Sequence, residues 1–192
     1  MSVRRSGFTL IEFLVVVGLL AITVGSTLLF LTSILRGTNQ TNISSEVKQN
    51  GQAVLDSLER QIRGAKSAIA LSPLPGGSAV SGVVLANTDS TNLYITCFGQ
   101  TASENGWIGS ATQAVGAGVP SVNDYKTVTN KDPVSGINII CAANSFSITP
   151  ATTLSADVVK INFTADKPIK SPSRSDFNAK SDFQTTISLR KY

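Results

Sequence analysis

The chain has 192 residues and contains no histidine. Histidine is the commonest general base, the central residue of serine and cysteine triads, and a frequent metal ligand, so its absence removes most such sites. The two cysteines, Cys97 and Cys141, cannot by themselves supply the four ligands of a zinc site. No glycine-rich phosphate loop follows a predicted strand, and the carboxylates are scattered singly. We therefore expect no enzymatic activity, no cofactor and no metal.

Charged residues are also missing from a long segment near the N-terminus. None occurs between Phe13 and Leu35, and Arg36 closes the run. About 20 apolar residues suffice to cross a bilayer, and the apolar run over residues 8–35 exceeds that length. It is too long for the apolar region of a secretory signal peptide, which has about 7–15 residues. We expect a membrane-spanning helix over residues 8–35.

The basic residues Arg4 and Arg5 precede this span. Positive charge flanking a first span favours the cytoplasmic side. The orientation predicted is therefore a single-pass protein of the cytoplasmic membrane, with its N-terminus inside and the rest of the chain outside.

One carboxylate, Glu12, lies inside the apolar run, one helical turn after Phe8. A charged side chain deep in a bilayer costs about 2.5–3.5 kcal/mol, so it needs a partner or a role. If the chain were cut after Gly7, Phe8 would gain a free amine with a pKa of about 8. That amine could pair with a Glu12 carboxylate, either of its own chain, where the geometry is poor, or of a neighbouring subunit shifted along a helical stack. The alternative is a carboxylate that snorkels to the interface or favours the helix N-terminus.

The run from Gly7 to Glu12 follows a short basic leader and opens the long apolar helix. This pattern resembles the processing site of type IV pilins and pseudopilins. The resemblance implies that a prepilin peptidase removes leader residues 1–7 by cutting between Gly7 and Phe8, and methylates the Phe8 amine. It also implies that Glu12 acts in assembly. The partners implied are that peptidase, other pilin or pseudopilin subunits, the inner-membrane assembly machinery, and membrane lipid before assembly.

A weaker resemblance extends into the rest of the chain. Residues 50–65 and 183–190 are similar to the second helical half and the last strand of larger minor pilins and minor pseudopilins. The chain has no proline before Pro73, whereas major pilins of this family usually carry a helix-kinking proline within the apolar run. The resemblance therefore favours a minor subunit.

Helical periodicity continues beyond the membrane segment, with apolar residues on one face and polar residues on the other. We expect residues 36–71 to form the second half of the same helix, reaching about Ile69. Gly37 and Gly51 are its predicted weak points, because glycine costs about 1 kcal/mol relative to alanine. The apolar positions are Ile43, Val47, Val54, Leu55, Leu58, Ile62, Ala65 and Ile69.

Proline and glycine cluster over residues 72–78 and end the helix. Alternating apolar residues then predict a β-rich head over residues 72–192, and the fold class is α+β, with the second half of the helix packed on an antiparallel sheet. The regions around Trp107 (100–132) and over 167–182 are predicted loops, with Trp107 as a core or loop anchor. The predicted strands are 82–86, 92–98, 137–142, 145–149, 157–165 and 183–189.

Cys97 and Cys141 fall in two of these predicted strands. An exported domain is in an oxidising compartment, where a disulfide is the default. We expect one intramolecular disulfide in the head.

Basic residues outnumber acidic ones over 160–192. Such an excess is the first requirement for binding nucleic acid. No aromatic residues alternate with these charges and no groove-reading helix accompanies them, so a solvated surface is favoured over a nucleic-acid site.

The sequence therefore predicts a structural subunit, a minor pilin or pseudopilin, that waits in the inner membrane and then enters a cell-surface pilus or a periplasmic pseudopilus. One alternative is a tip binding module whose loops contact DNA, a surface or an exported substrate. The other is an uncleaved, signal-anchored ectodomain.

Overall fold

The computed structural model describes residue 7 and residues 9–153, 155–174 and 177–190. Helix α1 spans Leu10–Arg63 and is followed by antiparallel strands, so the α+β class predicted from the sequence is confirmed. A short 3-10 helix spans Val122–Asp124. The strands are β1 Ser67–Ala70, β2 Ala79–Ala86, β3 Thr91–Phe98, β4 Trp107–Ala114, β5 Lys126–Thr127, β6 Asn138–Ile140, β7 Phe146–Thr149, β8 Val158–Asp166 and β9 Lys180–Ser188.

Helix α1 passes through two environments. Its described residues up to position 42 are exposed, and Ile43 is the first to pack partly against the head. Beyond that point the apolar face predicted from helical spacing is buried, from Val47 to Ile62. The polar segment 36–42 continues the helix between the two halves without contributing to the core.

The C-terminal end of the predicted helix is wrong. Helix α1 ends at Arg63, Gly64 caps it, and residues 67–70 form β1 rather than a last helical turn. The Lys66 N–H donates to the Ala86 carbonyl at 2.8 Å, and β1 pairs with β2. Ile69 is 64% exposed. The predicted segment 36–71 therefore ends as a helix at 63, because pairing with a strand across a turn outweighed the local periodicity.

Two antiparallel sheets form the head. Sheet A has the order β1-β2-β3-β4-β5. In sheet B, β8 is central and pairs with β9 on one side and with β6 and β7 on the other. The loop predicted over 100–132 is wrong at β4 and β5. The composition of β4, rich in glycine, serine and alanine, hides a strand that pairs along its whole length with β3.

Sheet A is buried on both faces. Its inner face and the inner face of sheet B share the main core with α1, while its outer face carries a second cluster around Trp107. Trp107 stacks on Phe98 with ring centroids 4.2 Å apart and is 5% exposed, in agreement with the predicted anchor role. The Tyr94 hydroxyl donates to the Gly118 carbonyl at 2.9 Å. This bond ties the loop after β4 to the outer face of sheet A.

Gly51 is a contact point rather than a weak point. It is buried in α1, and the Phe183 ring of β9 lies directly against it. A Cβ atom at position 51 would overlap that ring. The glycine, which costs a helix about 1 kcal/mol relative to alanine, therefore lies where α1 approaches β9 closely, and a larger residue there would require the Phe183 ring to move.

Candidate functional site: the exposed apolar helix

The apolar half of α1 has no cover in the described part of the chain. Large apolar side chains point outward on every side, including Leu10 at 82% and Phe30 at 68% exposed. The helix is long and apolar enough to cross a membrane. Exposed apolar surface on this scale marks a membrane or protein interface.

The threonine hydroxyls within this half bond to the helix itself. Thr23 donates to the Leu19 and Leu20 carbonyls at 3.1 and 3.0 Å, and Thr27 donates to the Thr23 carbonyl at 2.7 Å. Thr32 donates to the Leu29 carbonyl at 2.9 Å. Hydroxyls that bond to the preceding turn carry no unsatisfied donor into lipid. These residues therefore fit a membrane-spanning helix.

Glu12 lies in the first turn of α1. Its backbone N–H donates to the Thr9 hydroxyl at 3.3 Å, which makes Thr9 the N-cap. Its side chain is exposed, and its carboxylate has no hydrogen-bond or ion-pair partner among the residues that the structure describes. The assembly role of Glu12 stays a prediction.

The predicted cleavage site lies at the limit of the structure. Gly7 is exposed. Phe8, the predicted methylation site, and residues 1–6 lie outside the described residues. Cleavage between Gly7 and Phe8 and methylation of Phe8 remain predictions.

The two cysteines are joined in a disulfide with their Cα atoms 6.4 Å apart. Cys97 lies in β3 and is fully buried, while Cys141 lies one residue beyond β6 rather than within a strand. The bond therefore links sheet A to sheet B, and it closes the core between them.

The basic residues near the C-terminus are spread over the head. Lys160 lies near one end of β8, whereas Lys167 and Lys170 follow its other end. Acidic Asp166 and Asp182 lie between these positions on β8 and β9. The solvated surface expected from the sequence stays a prediction. Within the described ranges, no group of three or more cysteine, aspartate or glutamate side chains is arranged to hold a metal ion.

Comparison with known proteins identifies the N-terminal region. Residues 3–28 match the family model of the prokaryotic N-terminal methylation motif, which is the signature of type IV pilins and pseudopilins. The resemblance of the N-terminal segment to the processing site of this family is thereby confirmed. Proteins with this motif are structural subunits that a prepilin peptidase processes and that assemble with other pilins. No curated protein and no solved structure matches the chain.

Proposed function

We propose that the protein is a structural subunit, a minor pilin or pseudopilin, of a type IV pilus or a type II secretion-like filament. The observation that carries the proposal is the methylation motif at residues 3–28, which runs directly into an apolar helix that the head leaves uncovered. A helix of this kind needs two environments. Lipid surrounds it before assembly, and the helices of neighbouring subunits surround it afterwards.

The proposed role of Glu12 follows from the energetics of moving the apolar helix from lipid into a bundle of helices. Lipid tails are as apolar as leucine, so moving an apolar helix from lipid into a helix bundle gains little from the hydrophobic effect. Packing and polar pairs must then favour the bundle. A Glu12 carboxylate that meets the Phe8 amine of a neighbour, after cleavage at Gly7, would supply such a pair and set the register between subunits.

The proposed orientation follows from charge. Arg4 and Arg5 lie on the cytoplasmic side, which places the head outside the inner membrane. There the disulfide between Cys97 and Cys141 is chemically favoured. The head then lies on the side where a pilus or pseudopilus grows.

Cleavage between Gly7 and Phe8 is the first expected result. The full chain, expressed with a prepilin peptidase and extracted from membranes, should begin at a methylated Phe8, because the leader ends in glycine where the apolar helix begins. Intact mass and N-terminal sequencing measure this. A Gly7→Leu variant serves as a control and should retain its leader. A mature chain that still begins at Met1 or Ser2 would support the uncleaved ectodomain instead.

Glu12→Ala is expected to leave cleavage and insertion intact but to reduce incorporation into filaments. Removing the carboxylate makes insertion of a single helix easier, by about 2.5–3.5 kcal/mol on insertion scales, so any loss must arise at assembly. The amount of the variant in sheared filaments, relative to the membrane pool, measures the effect.

The matched control is Asp56→Ala, which removes an exposed carboxylate from the head-bound half of the same helix. It should be incorporated at wild-type levels. Wild-type incorporation of Glu12→Ala as well would refute the pairing role.

A further inference from the structure

An apolar groove of about 240 Å³ lies at the end of the head from which the exposed helix emerges. Ile43 and Val47 of α1 form one wall. The turn over 134–137 and the segment over 167–172 form the others, with Phe177 beside them. We call this feature the basal groove.

The walls of the basal groove are held in place by hydrogen bonds. One Asp132 carboxylate oxygen accepts the N–H groups of Val134 at 2.9 Å and Ser135 at 2.7 Å. These bonds, with that from Ser135 foremost, lower the pKa of Asp132. The Lys170 N–H donates to the Pro133 carbonyl at 3.0 Å and joins the two loops. The groove is therefore preformed.

Two features of the groove are unfavourable in water. Val134 on its rim is 66% exposed. The Ser171 hydroxyl lines the groove and is buried, and it has no hydrogen-bond partner within the described residues. An unsatisfied buried hydroxyl destabilises the structure that contains it. An occupant with an apolar surface would cover Val134, and a carbonyl or hydroxyl on that occupant would accept a hydrogen bond from Ser171.

The basal groove lies too far along α1 to contact the lipid bilayer if the helix is straight and perpendicular to the membrane. From Leu10 to Ile43 the rise is about 50 Å at about 1.5 Å per residue. A bilayer with its headgroups is about 40–45 Å thick. The groove therefore lies beyond the headgroups of the membrane that the helix spans.

We propose that the basal groove receives the apolar N-terminal helix of a neighbouring subunit, a helix with the chemistry of residues 10–35 of this chain. This inference rests on the proposed function. A neighbour displaced outward along the filament axis by about 12–50 Å, at about 1.5 Å per residue, brings part of its apolar segment level with Ile43.

The chemistry of that segment matches the groove. It carries no charge from Phe13 to Leu35, so no ion of the helix is desolvated when it binds. Glu46, Lys167 and Lys170 also line the groove; Glu46 and Lys170 are exposed, and long charged side chains of this kind keep their charged ends in water. Its hydroxyls, such as those of Thr23 and Thr27, offer acceptors to Ser171. The volume suits side chains that project from one helix face, with the helix body packed alongside α1.

The test uses the full chain in cells that carry the complete assembly system. Val134→Asp places a carboxylate on the rim of the groove, and we expect about a tenfold loss of incorporation into sheared filaments, equivalent to about 1.4 kcal/mol. Cleavage after Gly7 and the melting of the head should not change, because Val134 is mostly exposed. Val115→Asp is the matched control, since Val115 is 64% exposed in the turn after β4, and it should be incorporated normally.

A photo-crosslinking residue, benzoylphenylalanine, at position 134 decides the identity of the occupant without introducing a charge. We expect adducts that map by mass spectrometry to the apolar N-terminal helix of another subunit, and none of these from position 115. Adducts only to lipid or to another head, or normal incorporation of Val134→Asp, would overturn the groove proposal while leaving the filament function standing. If the wild-type chain is neither cleaved nor incorporated, the proposed function itself fails.

Discussion

Leu58→Ala is expected to lower the free energy of unfolding of the head by about 2–5 kcal/mol, the range for a buried leucine truncated to alanine. Leu58 is fully buried in the main core beneath the sheets, with Ile62 one turn further along α1. Removing its side chain loses apolar burial and leaves a cavity that rigid strands cannot fill. Denaturant unfolding of a head fragment beginning at Ser45 measures the loss. We expect that fragment to fold, since residues 10–42 contribute nothing to its core and Ile43, which it also lacks, packs only partly against that core.

The matched control for this prediction is Glu59→Ala, one position along the same helix. Glu59 forms an ion pair with Arg63 one turn away, and both side chains are partly exposed. Such surface pairs stabilise by about 0.3–0.5 kcal/mol, so the control should lose no more than that. Equal, small losses at Leu58 and Glu59 would mean that the helix does not pack on the head. Residues 43–63 would then be a stalk that packs only against other subunits.

The disulfide carries the second large expected effect. Cys97 and Cys141 are separated by 44 positions in the sequence. In the chain-entropy model, closing a loop of this size stabilises the folded state by about 3–4 kcal/mol. Reduction of the wild-type head should lower its unfolding midpoint accordingly. Iodoacetamide should label neither cysteine in the denatured, unreduced protein.

The control for the disulfide prediction is the double variant Cys97→Ala/Cys141→Ala. It removes the bridge and both thiols, and its midpoint should not respond to reductant. A wild-type midpoint that is also insensitive to reductant would contradict the prediction, as would labelling of both thiols in freshly purified protein.

Most of the strands in the head could be predicted from alternation alone. Strands β2, β3, β8 and β9 lie close to where their apolar patterns placed them. Strand β4 could not be predicted, because its apolar and polar residues do not alternate. Its Trp107 and Ile108 are buried in separate clusters on opposite faces of sheet A. A strand buried on both faces by other parts of the chain does not need to show alternation.

The predicted helix end and the role of Gly51 failed for a related reason. The spacing of Ala65 and Ile69 fits a helix, but Ile69 lies in β1. Only the pairing of β1 with β2 decided between helix and strand for this segment. At Gly51 the propensity argument considered the helix alone. The Phe183 ring, from the last strand, lies where a side chain at position 51 would project.

The sequence by itself determined the leader motif and the apolar half of helix α1. A membrane-spanning segment is recognised by a continuous apolar run, and a leader motif by residues adjacent in the sequence. The span, the motif and the position of Glu12 can therefore be read from local sequence. Only the tertiary structure decided the end of the helix, the two-sided burial of sheet A and the basal groove. Each of these depends on contacts between residues far apart in the chain, and local periodicity does not indicate which distant segments will pack together.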